Sequence, residues 1–259
     1  MYIVLRDADF SKNNIGNIDI DLPMDDLTVS IINKFSVSPS QYLQKALNVF
    51  IINLKNSGLI HKIDSLYLPV FSVNAVESFT DVIGLNTIDP SGKTYAVTQG
   101  KGVHVSGTAL LSFPIANTIN FHAMAYNTDS IPVISGIGYS IGQEVYGFGR
   151  RMFNSGNTPG AFVGANGNRV NSDSNLGSVT GVQILSNNGI QAILGDNGQL
   201  FTGTPTGNFI SQNTISLNVG SAAINGSNFG IYSIGKYLNS DETAEYMGYV
   251  SSLMERIDS

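Results

Sequence analysis

The chain has 259 residues, a formal net charge of −6, no cysteine and only 12 % charged residues, about half of the usual charged share. A disulfide framework, a thiolate metal site and a cysteine nucleophile are therefore excluded, and at a sequence pI of about 4.9 we expect no nucleic-acid binding through a basic surface. Because 42 % of the residues are hydrophobic, the chain can bury a sizeable core and is not expected to be disordered.

Residues 1–25 are predicted to form an extended N-terminal arm. Residues 1–5 (MYIVL) have the pattern of a short strand, and the following residues mix Asn, Gly, Asp and Pro without a helical period. Two interpretations stay open: a frayed terminus or edge strand, and an arm that docks into a partner subunit. Arg6, Asp7 and Asp9 are untypical of a signal peptide, and none is expected.

Residues 26–60 are predicted to be a linker followed by a helix. Ser38 can cap the first turn and Pro39 suits its backbone geometry, while Gly58 is expected to end the helix in the left-handed conformation. The apolar residues cover more than half of the circumference, so we expect the helix to contact its own sheet and a neighbouring chain. The most apolar stretch, residues 46–54, is too short to span a bilayer, and no membrane insertion is expected.

Residues 61–259 are predicted to form an antiparallel β-sandwich that ends in a helix. From Ile63 the apolar residues recur with a period of two, and no convincing helix fits before Ser233, which disfavours a βαβ fold. Asn-Gly dipeptides begin at residues 166, 188, 197 and 225, and Asn197-Gly198 gives the clearest hairpin prediction. The expected strands lie in residues 63–73, 95–97, 103–105, 109–113, 119–126, 133–137, 145–148, 161–163, 179–185, 191–194, 209–210, 215–219 and 229–234.

The C-terminal residues return to a helical pattern. Ser240 is the predicted N-cap, and Asp241 and Glu242 fall in the first turn, where the helix dipole favours anions. The predicted buried stripe consists of Ala244, Met247, Val250, Met254 and Ile257.

The polar residues do not form a recognisable catalytic or metal-binding motif in the sequence. His61, His104 and His122 lack the spacing of metal ligands, although a site assembled only in three dimensions stays open. His122 lies in an apolar run and is interpreted as a satisfied core or edge histidine. The glycine-rich residues 136–142 lack the spacing and the lysine of a phosphate loop. We assign no catalytic residue, no cofactor and no metal.

One strand carries residues that could contact a glycan. Glu144 and Tyr146 share a face of a predicted strand, which would place an acid beside an aromatic platform. Arg150 and Arg151 could hold an anionic glycan. The alternative for each is an ordinary solvent-facing strand residue or surface patch.

Two segments of the chain resemble a known family. Residues 56–71 (NSGLIHKIDSLYLPVF) and 229–246 (FGIYSIGKYLNSDETAEY) are similar to the opening and closing motifs of tailed-bacteriophage virion proteins with a concanavalin A-like (laminin G-like) domain. Ile60 stands where that family has an aromatic residue. The resemblance implies a mainly β fold, a concanavalin A-like antiparallel β-sandwich (jelly roll) with one N-terminal and one C-terminal flanking helix and an extended N-terminal arm.

The resemblance also implies a function. It indicates a non-enzymatic fibre, spike or decoration subunit on the exterior of the phage particle, on the head or the tail. Such a subunit is expected to be a homo-oligomer, typically a trimer, attached to capsid or tail proteins through residues 1–25. Contact with a host-surface polysaccharide and a purely architectural role both stay open. The alternative is a secreted bacterial glycan-binding or glycan-cleaving lectin-like module, which the absence of a signal peptide and the few carboxylates disfavour.

Overall fold

The computed structural model describes residues 22–84, 94–106, 109–114, 120–128, 136–141, 144–150, 159–162, 169–171, 181–203, 214–219 and 227–258. Residues 1–21 of the predicted arm lie outside this part of the chain. The same holds for the predicted run at 209–210, for Arg151 and for the Asn-Gly pairs at 166 and 225.

A short helix that the sequence did not predict begins the described chain. Helix α1 (Asp26–Ile32) starts at Asp25, whose side chain accepts a hydrogen bond from the backbone N–H of Leu27. Asp25 also pairs with Lys55 at 2.6 Å. The buried side chain of Asn48 accepts from the N–H of Asp25 at 2.8 Å and donates to the carbonyl oxygen of Pro23 at 3.1 Å. The end of the predicted arm is therefore held on the next helix.

Helix α2 (Gln41–Asn56) begins later than predicted. Its N-cap is Ser40, whose hydroxyl accepts from the N–H of Leu43, whereas the predicted cap, Ser38, accepts from the Gln44 side chain instead. Gly58 follows the helix in the left-handed conformation (φ +77°), as predicted. Helix α2 packs on α1, on the 3₁₀ turn that follows it and on the C-terminal helix, and its buried apolar side chains belong to the same core cluster as residues of the strands. The predicted contact with a neighbouring chain stays a prediction.

The remaining elements are mostly strands. Single-turn 3₁₀ helices occupy Leu59–Lys62 and Pro69–Phe71, and helix α3 is Ala75–Ser78. In chain order the strands are β1 (Ile63–Tyr67), β2 (Thr94–Thr98), β3 (Gly102–Ser106), β4 (Ala109–Pro114), β5 (Phe121–Asn127), β6 (Gly136–Ile141), β7 (Glu144–Arg150), β8 (Pro159–Phe162), β9 (Arg169–Asn171), β10 (Gly181–Asn187), β11 (Ala192–Asp196), β12 (Gln199–Gly203), β13 (Thr214–Val219) and β14 (Ser227–Gly235).

The strands form a mainly antiparallel β fold around one large sheet. Eight strands pair in the order β12-β11-β10-β5-β14-β3-β2, and β1 also pairs with β14. The early residues of β14 pair with β3 and its later residues with β1, while β5 lies along its other side. Strands β6–β9 form a four-stranded sheet, and β4 pairs with β13. All described pairs are antiparallel, as predicted.

Two Asn-Gly turns join neighbouring strands as predicted. Asn197 and Gly198 connect β11 to β12 with φ values of +49° and +85°, the conformation that tight two-residue hairpins require. Between β10 and β11 the loop is longer. There the side chain of Asn188 accepts from the N–H groups of Ile190 and Gln191.

The C-terminal helix α4 (Ser240–Asp258) joins the helices to the sheet. It packs on β10, β11 and β12, and α2 packs on it. The predicted cap Ser240 is replaced by Asn239, whose side-chain oxygen accepts from the N–H of Glu242 at 3.0 Å, while the Glu242 carboxylate accepts from the N–H of Asn239 at 2.9 Å. This reciprocal arrangement is a capping box. Ala244 is exposed, contrary to the prediction, and the buried residues are Thr243, Tyr246, Met247, Val250, Leu253 and Met254.

Candidate functional site

The predicted glycan-contact residues fall on one strand. Glu144, Tyr146 and Arg150 occupy alternate positions of β7, opposite Ile141 and Tyr139 of β6 and Pro159 of β8. Strand alternation therefore places the three at positions on the same face. Arg151 lies outside the described residues. Their role in glycan contact stays a prediction.

His122 is a fully buried histidine in a hydrogen-bonded chain. Its Nδ1 lies 2.6 Å from the carbonyl oxygen of Lys236, which can only accept, so Nδ1 carries the proton. The hydroxyl of Tyr246 donates to Ser233 Oγ at 2.7 Å, and Ser233 Oγ lies 3.5 Å from His122 Nε2. The imidazole is thus satisfied on both sides, which confirms its interpretation as a core histidine.

The environment of His122 keeps its ring neutral. Burial, together with the positive charge of Lys62, lowers the pKa of His122 to about 4, against the opposing effects of the Lys236 carbonyl and Glu242. The three side chains of this hydrogen-bonded series, those of His122, Ser233 and Tyr246, are all buried. A substrate could not reach them without opening the core, so this serine and histidine stabilise the fold.

The buried carboxylates of Asp81 and Glu77 accept hydrogen bonds from backbone N–H groups. One oxygen of Asp81 accepts from the N–H groups of Leu66, Ile83 and Gly84 at 2.9–3.1 Å, which ties the turn after α3 to β1. Glu77 accepts from the N–H groups of Ser36 and Val73. Burial raises the pKa of Glu77, but its hydrogen bonds outweigh that effect and hold the pKa below the ordinary value.

No group of three potential metal-ligating side chains occurs within the residues that the structure describes. Across the same residues, none of the helices combines the length and the apolar character needed to cross a membrane.

Residues 56–71 and 229–246, the two segments singled out in the sequence analysis, meet in the fold. Strand β1 from the first segment pairs with β14 from the second, and the N–H of Lys236 donates to the carbonyl oxygen of Lys62 at 2.8 Å. Beyond the strands, Lys62 binds both carboxylate oxygens of Glu242. Burial raises the pKa of Glu242. The hydrogen bonds from Lys62 and Asn239 outweigh that effect, so the pKa lies below its ordinary value.

A solvent-accessible group of side chains lies at one end of the large sheet. We call Asn120, Ile190, Gln191 and Tyr237 the Tyr237 cluster. The phenol of Tyr237 donates to Gln191 Oε1 at 3.1 Å, and its backbone N–H donates to Asn120 Oδ1 at 3.3 Å. Ile190, which precedes Gln191 in the chain, is 79 % exposed.

Sequence reasoning missed this cluster because only strand pairing assembles it. Asn120 precedes β5, Gln191 precedes β11, and Tyr237 follows β14. Antiparallel pairing brings these three strand ends to the same end of the sheet. The residues are up to 117 positions apart, so no local motif marks them.

Comparison with known proteins gives only distant structural similarities. No family model matches the chain, and no curated protein sequence matches it. Domain 4 of a GH43 extracellular arabinanase from Geobacillus stearothermophilus, in complex with arabinotriose, is similar at 11 % identity and a TM-score of 0.47, with 72 % of this chain and 98 % of that domain covered.

Two further solved structures are larger than the matched region. A GH54 α-L-arabinofuranosidase mutant is similar at 13 % identity and a TM-score of 0.40, with 65 % of this chain and 44 % of that protein covered. Trypanosoma rangeli sialidase is similar at 11 % identity and a TM-score of 0.44, with 80 % of this chain covered. The match spans only 39 % of the sialidase. Similarities at this level assign neither a family nor an activity to the chain.

Proposed function

We propose that this protein is a non-enzymatic structural subunit of a tailed-phage particle, exposed on the exterior as part of a fibre, spike or decoration. Its strands close as a concanavalin A-like jelly roll, and the subunit assembles as a homo-oligomer, most simply a trimer. The observation that carries the proposal is the meeting of the two family-like segments: β1 pairs with β14, and Lys62 joins Glu242. Two segments that pair to close one domain are expected to occur together in every family that shares that domain.

The buried ionisable groups support a structural role. His122, Glu77 and Asp81 hold backbone groups and neighbouring elements in place. Each is at least 92 % buried, so none is presented to a substrate. Functional residues of a binding or assembly protein are expected instead on its loops and strand ends.

The root of the N-terminal arm supports attachment through residues 1–25. Asn48 holds the backbone of Pro23 and Asp25, and Lys55 holds the Asp25 carboxylate. These contacts fix the base of the arm on α2. A load on the arm would therefore be passed to the helices and would not pull the base of the arm away from them. In the proposed function, the arm binds capsid or tail proteins.

The proposal is tested by truncation and assembly. Removing residues 1–21 leaves Asp25, Asn48 and their contacts intact, so the truncated chain is expected to fold and stay soluble. It should, however, be missing from purified phage particles, whereas the full chain co-sediments with them. The matched control is a chain in which residues 1–21 are kept in scrambled order.

Absence of the full chain from particles, together with its recovery as a free protein in the medium, would reject the virion role. Normal incorporation of the truncated chain would reject attachment through residues 1–25. Normal incorporation of the scrambled chain would show that the arm acts by length alone and would reject a specific contact of its sequence. Light scattering on the full chain tests the trimer separately, and a monomer would favour the lectin-like alternative.

A further inference from the structure

We infer that the Tyr237 cluster is a binding site for a neutral oligosaccharide. This assignment goes beyond the proposed function, because the resemblance, although its second segment includes Tyr237, assigns no ligand site, and the strand that carries Glu144 belongs to a different sheet. It is carried by three features of the described residues: an immobilised aromatic ring, uncommitted amide donors, and the pairing of the nearby charges.

The backbone holds Tyr237 in place from both sides. On one side, the N–H of Lys236 donates to the Lys62 carbonyl at 2.8 Å. On the other side, the N–H of Leu238 donates to the buried hydroxyl of Ser186 at 2.8 Å, and that hydroxyl donates to the Leu238 carbonyl at 2.7 Å. A ring fixed before binding loses little conformational entropy when a ligand stacks on it.

The amide of Gln191 complements the ring. Its Oε1 accepts from the Tyr237 hydroxyl, while its Nε2 makes no hydrogen bond with any residue in the described ranges. The residue itself is fixed, because its backbone N–H donates to Asn188 Oδ1 at 2.7 Å. Two amide hydrogens are therefore available to sugar hydroxyl oxygens at the edge of an aromatic surface. A few placed polar groups beside an apolar platform are typical of small-molecule sites.

Ile190, at the tip of the β10–β11 turn and next to Gln191 in the chain, offers a further apolar side chain. It is the most exposed large hydrophobic side chain of the described residues, at 79 %. The turn that carries it is held by Asn188, whose side chain accepts from the N–H groups of Ile190 and Gln191. Such an apolar surface suits the C–H face of a sugar ring and offers nothing to an ionic group.

The charges around the cluster favour a neutral ligand. Lys62 is paired with Glu242 at 2.6 Å, and the ammonium of Lys236 donates to the His61 carbonyl at 3.0 Å. Asp241 lies in the first turn of α4 beside Glu242. Lys62 is therefore paired with a carboxylate, Lys236 is engaged by a backbone carbonyl, and Asp241 and Glu242 add negative charge, so a sulfated or sialylated glycan would gain little there.

The test is binding of the full chain to a glycan array that carries neutral and acidic oligosaccharides in equal number. We expect retention of neutral glycans. Tyr237→Ala and Gln191→Ala should each weaken that binding by about tenfold or more, while Tyr237→Phe, which keeps the ring, should lose less than Tyr237→Ala. The matched control is Tyr42→Ala, another exposed tyrosine. Its hydroxyl donates to the Arg256 carbonyl, about 24 Å along α4 from the Tyr237 end, and this variant should bind like the parent.

Thermal unfolding of each variant separates loss of binding from loss of fold. The inference is overturned if folded Tyr237→Ala binds like the parent, if only acidic glycans are retained, or if no glycan is retained. It is also overturned if Tyr237→Ala changes the oligomeric state, which would mark the cluster as a protein interface. Because incorporation into particles is measured separately, failure here leaves the proposed virion role standing, and failure of that role leaves the glycan site standing.

Discussion

Lys62 and Glu242 are 180 residues apart in the chain, and the Lys62 ammonium lies 2.6 and 2.7 Å from the two carboxylate oxygens of Glu242. The same carboxylate accepts from the N–H of Asn239. Glu242 therefore has two tasks: it completes the cap of α4, and it ties that helix to the residue that precedes β1. The start and the end of the domain are joined at one side chain.

Substitutions at Glu242 should separate these two tasks. Glu242→Ala removes the cap and the ion pair and should lower the free energy of unfolding by about 1–2 kcal/mol. Glu242→Gln keeps an acceptor for the Asn239 N–H and should cost less, close to the cost of Lys62→Met, which removes only the ion pair. Urea unfolding at neutral pH measures all three. Equal losses for the Ala and Gln variants would show that the cap contributes nothing.

The pH dependence of this junction has a defined sign. The pKa of Glu242 in the folded protein lies below its ordinary value of 4.5. Its contribution to stability is therefore complete above that ordinary value, and it is lost as the pH falls through the folded pKa. Glu242→Gln should lack this part of the acid dependence.

The sequence predicted the kind of residue that caps each helix better than the position of that residue. Ser38 and Ser240 were the expected caps, and the structure uses Ser40 and Asn239. In both places several residues with short polar side chains stand within three positions, so composition indicates a cap and only the backbone geometry selects it. By contrast, Gly58 and Asn197-Gly198 were predicted at the right positions, because a positive φ is a stringent local requirement.

The parts that could not be predicted depend on pairing between distant segments. Helix α1 has only seven residues, and it is held by Asn48 and Lys55 from the next helix. The contacts of His122 come from Ser233 of β14, from Lys236 just after that strand and from α4, all more than 100 residues away in the chain. Neither arrangement leaves a periodic signal in the sequence. Strand β10, by contrast, is buried along almost its whole length, and it was predicted from a short apolar run bounded by turn residues.

The buried histidine should make the protein sensitive to mild acid. In the unfolded chain His122 takes up a proton near pH 6.5, but in the folded protein its pKa is about 4. Between these two pH values the unfolded state binds the extra proton, so stability falls as the pH is lowered. The contribution of His122 across this window is about 3 kcal/mol, and below it the loss levels off.

Unfolding free energies measured from pH 7 to pH 4 test this prediction. His122→Gln should be less stable at pH 7, because the network with Ser233 is disturbed, but its slope in this window should be shallower by about 1.4 kcal/mol per pH unit. His61→Gln is the control, because His61 is exposed and lies outside the network. The interpretation fails if the two variants show the same slope.

Two glycines should respond in opposite ways to the same added methyl group. Gly198 has a φ of +85° and Gly248 lies within α4, and an added Cβ would meet nothing within 4 Å at either position. Gly198→Ala should destabilise the protein by about 1 kcal/mol, because an L-residue is strained at positive φ. Gly248→Ala should stabilise it by a similar amount, because alanine favours the helix. Thermal or urea unfolding gives both signs, and a neutral Gly198→Ala would mean that the turn can change its type.

Gly195 of β11 lets α4 approach the sheet closely. An added Cβ would lie 2.5 Å from Met247 Sδ and 2.5 Å from Ile184 Cγ2, and both of these side chains are buried. Gly195→Ala should therefore cost about 1–3 kcal/mol through overpacking, and Met247→Ala about 2–5 kcal/mol through the cavity it leaves.

The double variant distinguishes close packing from an independent effect of each residue. With Met247 shortened, the new methyl group has room on the helix side, so Gly195→Ala should cost at least about 0.5 kcal/mol less in that background than alone. The relief is partial, because Ile184 still faces the added carbon. Additive losses in urea unfolding would show that the helix does not lie against Gly195 as described, and would remove the reason for a glycine at this position of the strand.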